Sequence, residues 1–90
     1  MTTKPWYLYI AQSLSGKYYV GISTDVSQRI KTHNQGQGAQ LAKFDGPFTL
    51  LYTSPPLLNQ STARSLEITI KKWPRDKKEK LVTNQLDLPL

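Results

Sequence analysis

Two runs near the start of the chain, residues 6–11 (WYLYIA) and 17–22 (KYYVGI), are rich in aromatic and branched apolar side chains and read as strands. Ser13-Leu14-Ser15-Gly16 between them has turn chemistry, so the pair forms a hairpin. Period-two alternation sorts the side chains. Trp6, Leu8 and Ile10 share one face of the first strand, as do Tyr18, Val20 and Ile22 of the second, and these sets pack inward. Tyr7, Tyr9, Tyr19 and Gly21 lie on the opposite faces, which leaves a second surface of tyrosines beside a glycine.

Beyond the hairpin the period becomes helical. Ser23 and Thr24 offer an N-cap, and Asp25 falls in the first turn, where negative charge suits the helix dipole. Val26 and Ile30 form the buried stripe of a helix that Gly36 and Gly38 stop after Gln35. Arg29 and His33 share a neighbouring face. Residues 36–46 are glycine-rich and polar and read as loop. Pro47 introduces a third strand over residues 48–53 (FTLLYT), closed by Pro55-Pro56. Ser61 or Thr62 caps a second helix with the stripe Ala63, Leu66, Ile70 and Trp73, and Glu67 stands at its margin. Pro74 starts a short further helix through RDKKEKLV. Residues 84–90 read as a flexible tail. The order β-β-α-β-α-α, in one domain over residues 1–83, predicts an α+β fold with a small three-stranded antiparallel sheet packed with helices.

Composition narrows the chemistry. The 90-residue chain has no cysteine, which excludes a disulfide scaffold, a zinc finger, an iron–sulfur site and a thiol nucleophile. One histidine excludes a multi-histidine zinc site, and the six carboxylates are too scattered for a two-metal cluster. Twelve Lys and Arg against six Asp and Glu leave a net charge of +6, which favours a polyanionic partner, nucleic acid before membrane. No apolar run approaches the roughly 18 residues of a membrane span, and no secretory signal layout opens the chain, so the expectation is a cytoplasmic protein.

Residues 6–36 then carry a resemblance. Tyr9 in YLY and Tyr19 in YVG stand ten residues apart, Arg29 follows ten later on a helix, His33 one turn on, and Glu67 lies on a later helix in ARSLEITIKKW. This arrangement is similar to the GIY-YIG nuclease superfamily, in particular to its small stand-alone bacterial members, over roughly residues 6 to 80. The first motif has Tyr7 and Leu8 where glycine and isoleucine are usual. Ile22 follows the second where the excision-repair incision nuclease has lysine. Glu79 holds the spacing at which several larger members carry an asparagine.

The resemblance implies a metal-dependent DNA endonuclease, structure-selective in repair or recombination, acting on branched, flapped or damaged DNA. Its implied catalytic set is Tyr9, Tyr19, Arg29, His33 and Glu67, with Glu67 holding Mg²⁺ or Mn²⁺. Mg²⁺ needs few protein ligands because it keeps waters and takes phosphate oxygens. Arg29 offers a planar cation to the non-bridging oxygens, and the charge beside a tyrosine favours its phenolate. Which tyrosine activates the water is left open, as is proton transfer to His33. Glu67 beside Arg64 and Lys71 also reads as an ordinary helical ion pair. The basic residues Lys31, Lys43, Lys71, Lys72, Arg75, Lys77 and Lys78 are the expected phosphate contacts, with no base-reading motif among them. Two readings compete: a nucleic-acid-binding module that keeps the fold without cleavage, motivated by Glu79, and a scaffold for a protein partner.

Overall fold

The computed structural model describes residues 4–35 and 46–89. Strands β1 (Tyr7–Gln12) and β2 (Tyr18–Ser23) form the expected hairpin. Gly16, at φ 94°, takes the left-handed position of its turn. Helix α1 (Val26–Asn34) follows, then β3 (Thr49–Thr53), α2 (Gln60–Lys71) and α3 (Arg75–Val82). The sheet is antiparallel in the order β2-β1-β3, so β1 is central. Its pairing with β3 carries a bulge between Ile10 and Ala11. Ser54 then clasps Leu8 from both sides, its N–H donating to the Leu8 carbonyl at 2.8 Å and its hydroxyl accepting from the Leu8 N–H at 2.9 Å.

The alternation along β1 divides the interior in two. Leu8 and Ile10 belong to a core with Leu57, Ala63, Leu66, Ile70 and Leu81, under α2 and α3. Tyr9 and Ala11 belong to a second core with Val26, Ile30 and Phe48, under α1. The tyrosine face is therefore covered rather than open: Tyr9 is only 7% exposed. Apolar area on both faces of a three-stranded sheet is what lets so short a chain bury enough surface to fold.

Both helix starts differ from the sequence reading. Asp25 is the N-cap of α1, its Oδ1 accepting from Gln28 N–H at 3.1 Å, while Ser23 Oγ accepts from Asp25 N–H. Asn59 caps α2, its Oδ1 accepting from Thr62 N–H at 2.8 Å, so that helix begins before Ser61 and Thr62. In each case the capping side chain accepts from the amide three residues on, the bond that defines an N-cap. Pro74 is the N-cap of α3 rather than its first residue. Helix α1 ends at Asn34, with the expected last residue Gln35 as its C-cap, and Gly36, Gly38 and Lys43 lie outside the described residues. Residues 84–89 run beside the fold, with Leu88 against the larger core and Gln85 N–H donating to the Lys80 carbonyl.

Candidate active site

Register sets Tyr9 opposite Gly21 and Tyr19 opposite Ala11, all on the α1 side of the sheet. Gly21 leaves the space into which the Tyr9 ring leans: a Cβ there would stand 2.5 Å from the Tyr9 hydroxyl and 2.6 Å from Cζ. The ring thus crosses β2, and its hydroxyl reaches a cleft of about 310 Å³. Tyr9, Gly21, Arg29 and His33 line that cleft from the α1 side, and Trp6, Arg64 and Glu67 line it from the other. Arg29 and His33 arrive together because they are one helical turn apart on α1.

Four of the five expected site residues, Tyr9, Arg29, His33 and Glu67, share this cleft. Tyr19 does not line it. It walls a neighbouring apolar space of about 160 Å³ with Tyr9, His33 and Phe48, its ring 5.1 Å from that of Phe48. The two spaces meet at Tyr9, Val20 and His33. Glu79, at the spacing of the asparagine, is exposed on α3 and does not line the cleft.

Electrostatics separates the two candidate bases. Burial pushes the Tyr9 phenol above its ordinary value; Arg29 pulls it down and Glu67 pushes it up, and burial prevails. The expectation that Arg29 would favour a Tyr9 phenolate is thereby corrected for the protein alone: Tyr9 is a neutral hydroxyl. His33 moves the other way, lowered by burial and by Arg29, so at neutral pH its imidazole is uncharged and able to accept a proton.

Glu67 is buried on the cleft side of α2, 7% exposed. A buried carboxylate needs a partner, and it has two. Arg64 Nη1 lies 3.3 Å from Oε1, and Lys71 Nζ lies 3.5 Å from Oε2. The helical ion pairing read from sequence is present, and it coexists with the position in the cleft. Among the described residues no three His, Asp or Glu side chains gather to hold a metal. Glu67 offers one hard oxygen ligand beside an open cleft, which fits Mg²⁺ held mainly by water and phosphate oxygens.

The basic residues divide. Lys31 on α1 and Lys72 after α2 are exposed, whereas Lys71, paired with Glu67, and three further expected contacts are engaged within the protein. Arg75 Nη1 donates to the Gly16 carbonyl at 2.7 Å, with its guanidinium 4.1 Å from the centre of the Tyr18 ring. Lys77 lies 4.3 Å over the Trp73 ring, and Lys78 Nζ donates to the Lys71 carbonyl at 3.4 Å. Sequence reasoning also passed over Asn34. Its side chain brackets the Phe48 backbone, accepting from the N–H at 2.6 Å and donating to the carbonyl at 3.0 Å. No local signal marks that bond, since its partner lies 14 residues on.

A family model for the GIY-YIG catalytic domain matches residues 5–80. The chain belongs to the GIY-YIG family. Among its relatives, a UPF0213 protein of Pectobacterium carotovorum subsp. carotovorum (strain PC1) is 40% identical over 80 residues, spanning 89% of this chain and 80% of the relative. A UPF0213 protein of Yersinia pestis (strain Pestoides F) is 38% identical over 85 residues, 94% of this chain and 88% of its own. The fold agrees with two solution NMR structures. The UPF0213 protein from Bacillus halodurans has a TM-score of 0.56 at 38% identity, over 89% of this chain and 84% of that one. A protein from E. faecalis has a TM-score of 0.60 at 30% identity, over 96% and 92%. The α+β order read from the sequence is that of this GIY-YIG group. No helix among the described residues is long and apolar enough to cross a membrane.

Proposed function

We propose that this GIY-YIG protein is a cytoplasmic, metal-dependent DNA endonuclease that hydrolyses phosphodiester bonds, with branched, flapped or damaged DNA as its substrates. The observation that carries the reading is the convergence of Tyr9, Arg29, His33 and Glu67 on one cleft from both sides of the sheet. Cutting a phosphodiester requires a deprotonated water, neutralisation of charge on the pentavalent phosphorus and a stabilised leaving oxygen.

Neutral His33 takes the proton from the attacking water as the new P–O bond forms, and the bond to the leaving oxygen breaks, that oxygen taking a proton from water at the open cleft. Arg29 offers its planar guanidinium to the non-bridging oxygens. Tyr9, held as a neutral hydroxyl, donates to the phosphate or orients the water. Tyr19 acts one step back, walling the space behind His33. Glu67 would hold Mg²⁺ or Mn²⁺, which when bound supplies Lewis-acid polarisation of the phosphate. The net charge of +6 supports a polyanionic substrate, with Lys31 and Lys72 as exposed phosphate contacts.

Purified protein incubated with branched and plain DNA, in Mg²⁺, Mn²⁺ or EDTA, tests the reading. The expected result is divalent-dependent cleavage, lost on the order of 10²–10³-fold in Arg29→Ala and Glu67→Gln, with DNA binding in EDTA retained. Binding by the wild-type protein without cleavage of any DNA in either metal would establish the non-catalytic module instead.

A further inference from the structure

Glu67 is buried, yet the cations on its two oxygens are not: the Arg64 side chain is 67% exposed and that of Lys71 56%, against 9% for Glu67. The ion pairs therefore stand on the solvent side of the carboxylate, with Arg64 itself lining the cleft. One cation sits a helical turn before Glu67 and the other a turn after it, each on a different oxygen. Both ends of the carboxylate are thus occupied by positive charge in the protein alone.

Resting on the nuclease reading, we propose that Arg64 and Lys71 are exchangeable counter-ions of Glu67, which leave it for the phosphates of bound DNA and so expose the carboxylate to a divalent cation. Long side chains that stand largely in solvent rotate at little cost, and a phosphate reaching the cleft mouth can compete for either cation, while the divalent cation that replaces them keeps the buried carboxylate neutralised. Each cation that turns outward removes a charge that repels an incoming metal and adds one that attracts DNA. Metal and DNA binding are then coupled in the same direction, and by linkage each strengthens the other. The arrangement also keeps Glu67 neutralised while no substrate is present, which a buried carboxylate requires.

Substitution of both cations separates this role from a plain phosphate contact and from a purely structural pair. Arg64→Gln with Lys71→Gln should bind Mn²⁺, titrated by electron paramagnetic resonance without DNA, about 5-fold or more tighter than wild type. In EDTA the same protein should bind a DNA duplex more weakly, with the slope of log affinity against log salt shallower by about 1.8. Arg64→Lys with Lys71→Arg keeps the charges and should restore both quantities. A double Gln variant with weakened DNA binding but wild-type Mn²⁺ affinity would overturn the counter-ion role, as would unchanged DNA binding. Glu67→Gln separates the two levels of inference. It should abolish Mn²⁺ binding, and if Mn²⁺ binds it as it binds wild type, the assignment of Glu67 as metal ligand fails along with everything built upon it.

Discussion

The Tyr9 hydroxyl lies over Gly21, across the β1–β2 pair, at a place where any side chain on residue 21 would meet it. The glycine of the second motif is thus a space requirement set by a tyrosine of the first. Gly21→Ala should push the buried Tyr9 ring out of the cleft, at a cost of about 1–3 kcal/mol in stability. Cleavage should fall on the order of 10²-fold, as expected when a reacting group is misplaced by about 1 Å. Thermal unfolding and single-turnover cleavage measured together check this. A variant of wild-type rate would show that Tyr9 is not needed where it stands.

The acid limb of the pH–rate profile should belong to His33. Its pKa is lowered in the folded protein, so the proton-accepting form persists below the ordinary histidine range. Cleavage should rise with pH through that lowered value and be level across neutrality, and His33→Gln should remove the limb. The same shift has a stability consequence. The unfolded chain binds the proton more readily, so His33's contribution is complete above the ordinary histidine value and is lost as pH falls through the lowered one. Unfolding transitions recorded between pH 4 and 8, in His33→Gln and wild type, should therefore converge on the acid side only if the histidine is the group responsible.

The basic residues should divide into two behaviours. Lys72→Ala and Lys31→Ala should each reduce the salt slope of DNA binding by about 0.9, without altering stability. Arg75→Ala should leave the slope nearly unchanged and lower stability by about 1–2 kcal/mol, through loss of the bond to Gly16 and the contact with Tyr18. Fluorescence anisotropy over a range of salt, beside denaturant unfolding, distinguishes the two.

Asn34→Ala should cost about 1–3 kcal/mol, because it leaves the Phe48 N–H and carbonyl without their bracket. Phe48 packs beside His33 and Tyr19, so loosening it should also slow cleavage. Hydrogen exchange at the Phe48 amide is the direct readout.

The candidate set itself came from the resemblance, but the placement of much of it was legible because the logic of that placement is local. Two strands of opposite direction with tyrosines on alternate positions, and a helix with Arg29 and His33 one turn apart, have few ways to be arranged. What escaped depends on partners far along the chain. Arg75 reads as one more cation in a basic run until Gly16, 59 residues earlier, is placed beside it. The pull of burial on Tyr9 was equally hidden, since a tyrosine face looks open until α1 is laid over it. The caps at Asp25 and Asn59 were misassigned for a different reason: serine, threonine, aspartate and asparagine compete there within one turn, and only the loop's path decides.

The division of the interior by β1 has a mechanical consequence. Odd-numbered residues of that strand anchor the layer bearing Arg29 and His33, and even-numbered ones anchor the layer bearing Glu67. The strand acts as a common datum from which both halves of the candidate cleft are gauged. A methyl group removed at Leu8 or Ile10, on the side remote from α1, lets α2 settle and alters the gap between carboxylate and guanidinium without touching either. In a molecule this thin, packing tolerance and chemical tolerance are one quantity.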